Sequence, residues 1–279
     1  MTSIFAAIQN ISKTIENKVF SNYDNFVVLD DLTQTNTNVQ QYCDKIAQKE
    51  FQSIDNVKAI ITQDDKKTEI LNENGKYLIS FIAIDNIDLL DLGFSVGSIF
   101  GVYENTIEGD TLVASCYVTY GPTFQLVYAT KDKGVAFYSF DGNSFVSVKP
   151  FQLENKGKIN STDGDVATFS DNHKNLVQSF FDEGYRLRLS KSLALDMHQI
   201  LFKRGGIYSS PKTHKDPEGN RDLAFEAYPI SFIVTLAGGE AINGSENISE
   251  IKLNGDLSKK TALYFGSKYE IGKVKASEC

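Results

Sequence analysis

The chain has 279 residues, 41% of them hydrophobic, with a formal net charge of −8 and an isoelectric point near 5.0. That apolar content is enough for a continuous core without disulfide staples, and the acidic balance, with no basic stripe, excludes nucleic acid as the main partner. Cys43, Cys116 and Cys279 are too scattered for a disulfide framework or a zinc site, which predicts a reducing, cytoplasmic setting.

Ile4, Ile8, Ile11, Ile15 and Val19 recur three or four residues apart and predict an amphipathic helix rather than the unbroken apolar run of a signal peptide. No stretch is long enough to predict membrane insertion. The polar segment Asp31 to Asn38 reads as a loop, followed by a helix from Val39 to about Phe51. From Lys76 to about Val148, β-branched and aromatic runs alternate with Gly, Asp and Asn turns, predicting a mostly antiparallel sheet built from hairpins. The second half turns helical. Ser170 or Asp171 caps one helix, Gly205 and Gly206 stop the helix that carries Met197, and Pro229 opens another that ends at Gly238 and Gly239. Strands in the gaps make this half an α/β layer, and a soft boundary near residue 155 divides an N-terminal half, 1–155, from a C-terminal half, 156–279. His173, His198 and His214 match no zinc spacing, and the Gly-rich stretches match neither a P-loop nor a dinucleotide fingerprint.

Five segments carry a resemblance: SVGSIFGVYE at 95–104, ENKGKIN at 154–160, FDEGYRLRLSKSLALDMHQILFKRGGIYSSP at 181–211, FEAYPISFIVTLAGGEA at 225–241 and FGS at 265–267. In kind and order the chain resembles the class I fructose-1,6-bisphosphatases. The resemblance implies a layered α/β (α+β) sugar-phosphatase fold, a homotetramer, and hydrolysis of a sugar phosphate with magnesium ions held among carboxylates, as in gluconeogenesis.

Matched position by position, much of that chemistry is substituted. The family's Ser-Glu-Glu-Asp-Lys falls on Thr62, Gln63, Asp64, Asp65 and Lys66, so one metal ligand is a neutral amide and the next is shortened by a methylene. The family's Asp-Pro-Leu-Asp-Gly-Ser-Ser falls on Ile82, Ala83, Ile84, Asp85, Asn86, Ile87 and Asp88. One ligand is thus an isoleucine, and the phosphate cradle gains an anion; a like charge about 4 Å from a phosphate costs on the order of 4 kcal/mol. Asp85 and Glu226 keep two metal-ligand positions, Asp44 matches a carboxylate that helps to activate water, Asp91 is retained, and Asn38 replaces a further acid. Asp44, Asp85 and Glu226 are retained either for folding or for residual Mg²⁺ binding. Asp85, Asp88 and Asp91 with Asp64 and Glu226 also admit a relocated metal site.

At the sugar-phosphate pocket the matched positions are Asp163, Val166, Arg188 with Leu189, Ser210 and Asn220, of which only the arginine keeps the family type. Lys191 stands where the family has a glycine, and either fills the space of an absent metal, meets a sugar phosphate, or pairs with the leftover carboxylates. Lys203, Arg204, Lys212, Lys215 and Arg221 lie in the same stretch and either substitute for the lost phosphate-binding groups or, as most such charges do, form solvated surface. Two functions follow. One is a catalytically silent or impaired relative with a structural or regulatory role in a homo- or hetero-oligomer. The other is an active Mg²⁺-dependent sugar bisphosphatase with a rearranged site, using Asp64, Asp85 and Glu226 on the metals and Asp44 with Asp64 on the water.

Overall fold

The computed structural model of the chain describes residues 1–28, 31–148 and 152–278; Cys279 lies outside them, while Cys43 and Cys116 are buried free thiols. Helix α1 (Thr2–Lys18) forms along the isoleucine stripe, and Ile4, Ile8, Ile11, Ile15 and Val19 are fully buried. Helix α2 spans Leu32–Gln52, so the polar stretch expected to be a loop is its opening turns. The Asp31 carboxylate accepts from Gln34 N at 2.9 Å and caps the helix. The Thr35 hydroxyl accepts from Val28 N while donating to Asp31 O at 3.1 Å, and the Asn36 amide reaches Asp88 and Asp91, so these polar side chains find partners without breaking the helix.

Eight strands follow: β1 (Val57–Thr62), β2 (Thr68–Ile70), β3 (Tyr77–Asp85), β4 (Val96–Glu104), β5 (Leu112–Tyr120), β6 (Gln125–Thr130), β7 (Gly134–Phe140) and β8 (Phe145–Val148). They form one sheet in the order β2-β1-β3-β4-β5-β6-β7-β8. It is antiparallel throughout except where β3 lies parallel to β1.

The remainder interleaves β9 (Ile159–Thr162), α3 (Asp171–Asp182), β10 (Arg186–Leu187), α4 (Leu193–Phe202), β11 (Ile207–Ser210), β12 (Arg221–Asp222), α5 (Tyr228–Leu236), β13 (Glu240–Ile242), β14 (Lys260–Thr261), β15 (Leu263–Gly266) and α6 (Lys268–Glu278). A mixed sheet runs β10-β9-β11-β15-β13, and β12 pairs with β14 in a short ribbon. Ser170 caps α3 by accepting from His173 N at 3.1 Å, and Pro229 sits in the first turn of α5. After α4 the chain reverses at Arg204, whose φ is +62°, and Gly205 N closes onto Ile200 O at 2.9 Å.

The layers alternate helix, sheet, helix, sheet, helix. One face of the large sheet packs under α1 and α2, with Phe51, Phe81 and Phe100 in contact. Its other face meets α4 and α5, which in turn cover the mixed sheet, and this core draws side chains from both halves of the chain. Helices α3 and α6 close the far side around Phe180, Tyr264 and Ile271. Gly97 sets how closely α4 approaches: a Cβ there would stand 2.5 Å from the Ala194 Cβ. Gly97 is also the register partner of Asp85, so the missing side chain lets the start of α4 press against β4 beside that carboxylate.

Candidate active site

The end of β3, the turn after β1, the loop leading into α4 and the β12 ribbon converge on one group of charged side chains. Arg221, at the start of β12, is at its centre. Its Nη1 donates to Glu226 Oε1 at 2.9 Å, and its Nη2 donates to Asp163 Oδ2. The guanidinium lies 5.7 Å from the centroid of the Tyr208 ring, and its side chain is only 14% exposed. Glu226 sits in a π-helical turn, Leu223–Ala227, which aims its second oxygen back at Asp222 N, 2.6 Å away.

Asp163 takes a second cation, Lys191 Nζ, at 2.6 Å. Burial pushes the Asp163 carboxyl up, but Arg221 and Lys191 outweigh burial and hold it below the usual carboxylate range. Glu226 goes the other way. Its deeper burial raises it, and Arg221 offsets only part of that rise. Lys191 holds its contact from a left-handed backbone, φ +71°, and its carbonyl accepts from Asn86 Nδ2 at 2.9 Å. Asn86 is left-handed too, φ +58°. These are two positions where the matched family residues are glycines; asparagine tolerates this conformation, whereas lysine costs about 1–2 kcal/mol in it.

A second pairing lies alongside. Asp222 accepts from Lys66 Nζ and from Gln63 Nε2, both at 2.8 Å. Gln63 therefore acts as a donor where the matched family residue is a carboxylate. Ile82 is 3% exposed and belongs to the apolar core with Ile61 and Ile99. Asp85, at the end of β3, accepts from the Ser192 hydroxyl at 2.7 Å and from Ala194 N at 2.8 Å. It caps the start of α4; burial raises its pKa, and these donors counter the rise in part.

The other expected site residues fall in different surroundings. Asp44 on α2 faces Asp64 and Asp65 across a cleft of about 790 Å³. Burial, then the charges of Asp64 and Asp65, push the Asp44 carboxyl up to about 7. Asp64 is raised as well, by burial and then by Asp65. Asp88 and Asp91 share the Asn36 amide at 3.2 and 3.0 Å, and Asp91 also accepts from Tyr23. Ser210 donates to Asn220 at 2.7 Å. Arg188 has an exposed side chain, and its backbone N–H donates to Asn160 O. Val166 and Leu189 are exposed at 63% and 37%, and Asn38 accepts from Gln34.

The family models that match this chain are those of the fructose-1,6-bisphosphatase N-terminal domain, over residues 1–150, and C-terminal domain, over residues 153–278. The chain belongs to the fructose-1,6-bisphosphatase family. It is 38% identical to the fructose-1,6-bisphosphatase class 1 of Campylobacter hominis, covering 98% of both chains, and 34% identical to that of Campylobacter concisus, covering 97% of this chain and 96% of the other. The holo form of Leishmania major fructose-1,6-bisphosphatase superposes with a TM-score of 0.90 at 25% identity, over 99% of this chain and 92% of that one. The layered α/β fold expected from the sequence is the fold of these structures, and the family is one of phosphatases acting in carbohydrate metabolism. No helix among the described residues is long and apolar enough to cross a membrane.

Within this fructose-1,6-bisphosphatase framework, Arg221 and Asp222 are the residues that sequence reasoning missed. Arg221 passed as a surface cation, and Asp222 had no role. A signal was present: buried carboxylates need a nearby source of positive charge, and Arg221 lies five residues before Glu226.

Proposed function

We propose that this chain is a catalytically silent or strongly impaired fructose-1,6-bisphosphatase relative with a structural or regulatory role in a cytoplasmic homo- or hetero-oligomer. The observation that carries this reading is Arg221, whose guanidinium binds both Glu226 and Asp163. It supplies inside the protein the positive charge that divalent cations supply in an active relative. Magnesium needs convergent oxygen ligands in near-octahedral geometry. Of the matched ligand positions, Ile82 is apolar, Gln63 is committed to Asp222, Asp85 to the start of α4 and Glu226 to Arg221. These residues do not fit the family's metal ions.

Phosphate release from fructose 1,6-bisphosphate in excess Mg²⁺ tests the proposal. The expected result is no turnover above background, equal in the protein and its Asp85→Asn variant. Turnover of about 1 per second or more, abolished in that variant, would overturn it. One observation favours the second reading, an active magnesium-dependent bisphosphatase: Asp44 has a carboxyl pushed up to about 7 beside Asp64, a value suited to a general base. On that reading the same assay gives a rate that rises with pH through about 7.

A further inference from the structure

The 790 Å³ cleft along α2 carries five aspartates and one lysine, Lys45. The acids form two poles. Asp88 and Asp91 gather at the Asn36 amide, and Asp64 and Asp65 face Asp44. Asn36 and Asp44 are eight residues apart on one helix, which at about 1.5 Å per residue separates the poles by about 12 Å. Ile84 and Ile87 add apolar lining, and Gln40 and Gln41 line the helix side between Asn36 and Asp44.

Asn36 supplies an independent sign of a ligand. The residue is 7% exposed, its Nδ2 already serves two carboxylates, and its Oδ1 is buried without a hydrogen-bond partner. A buried acceptor left in this state is costly until a donor arrives. A ligand complementary to this cleft would donate hydrogen bonds and carry positive charge at both ends. A single metal ion does not answer that description, because among the described residues no group of three or more His, Cys, Asp or Glu is placed to hold one.

We infer that this cleft binds a linear aliphatic polyamine of spermidine length, an inference that rests on the reading that the family's divalent cations no longer occupy this region. Alkylammonium groups are donors only, and the terminal nitrogens of extended spermidine stand about 11 Å apart. One end meets Asp88, Asp91 and the orphan Asn36 oxygen. The other meets Asp44, Asp64 and Asp65, while the methylenes lie against the isoleucines.

Titration calorimetry of the full chain with spermidine, putrescine and MgCl₂ at low salt tests this. The expected result is one spermidine per chain, bound more tightly than putrescine, which is too short for both poles, and more tightly than Mg²⁺ at equal concentration. Asp64→Asn combined with Asp65→Asn weakens spermidine about tenfold or more. Lys45→Gln, which removes the cleft's own cation, tightens it severalfold, and the remote exposed Asp55→Asn leaves it unchanged. Equal weakening by Asp55→Asn, no response to Lys45→Gln, or binding of Mg²⁺ or an oligolysine peptide in preference to spermidine would overturn the inference. An inert enzyme that ignores spermidine defeats this inference alone, whereas bisphosphate turnover alongside spermidine binding defeats the proposed function alone.

Discussion

Arg221 is shared by two carboxylates that are themselves nearly inaccessible, so replacing it leaves two buried anions facing each other across an empty space. Arg221→Leu is expected to destabilise the fold by about 3–5 kcal/mol, read as a drop in the urea midpoint. Adding Glu226→Gln should recover part of that, because Asp163 keeps Lys191 whereas Glu226 would be left without a counter-charge.

Titration gives a second expectation at this scale. Asp44 and Asp196 are both pushed up to about 7, chiefly by burial, so between the ordinary carboxylate range and pH 7 the folded state binds more protons than the unfolded one. Their contribution to stability is therefore present at low pH and is lost as pH rises through about 7. His173 and His198 are lowered by burial to about 4; the unfolded state binds the extra protons here, and stability is lost as pH falls from about 6.5 towards 4. Asp44→Asn should raise the urea midpoint at pH 8 more than at pH 5. His173→Phe should flatten the acid limb, since neither nitrogen of that ring has a hydrogen-bond partner and it packs edge-on against Phe169, centroids 4.8 Å apart.

At the scale of elements, the start of α4 is the joint between helix and sheet. Ser192 caps α4 by accepting from Leu195 N, and its hydroxyl also donates to Asp85. Ser192→Ala removes both interactions and is expected to cost about 1–2 kcal/mol in urea unfolding. Gly97→Ala acts on the same joint from the strand side. Its Cβ would meet the Ala194 Cβ at 2.5 Å and the Val118 carbonyl oxygen at 2.7 Å, neither of which is a flexible side-chain end. The expected cost is about 1–3 kcal/mol, with Asp85 separated from its donors on α4.

For the whole molecule, the decisive question is whether the fold still offers a metal site once the internal charges are removed. Ile82→Asp alone puts a carboxylate into the core beside Ile61 and Ile99 and should lower the melting temperature. Gln63→Glu, Ile82→Asp and Arg221→Leu together restore two anionic positions and free Glu226. Magnesium is then expected to raise the melting temperature of the triple variant by several degrees for each 1–2 kcal/mol of binding, and to leave the original chain unmoved. No shift in the triple variant would count against the matching of these positions to family ligands.

Local pattern was enough to specify α1, the hairpin strands β4 to β8, the Ser170 cap and the Pro229 start, because periodicity and capping act over a few residues. It failed at the opening of α2, where Thr35 and Asn36 read as loop formers; the Thr35 hydroxyl is engaged by Val28 and the Asn36 Nδ2 by Asp88 and Asp91, the last two more than 50 residues away. The same limit applied to the site. Sequence alone determined that position 63 carries a neutral amide and position 82 an apolar side chain, since that is a matter of residue type. Only the tertiary structure decided which cations pair with the buried carboxylates, because Arg221 reaches Asp163 from 58 residues away and Lys191 from 28. Whether such charges pair inside the protein or stay in water depends on burial and distance, and neither is encoded in the spacing of residues along the chain.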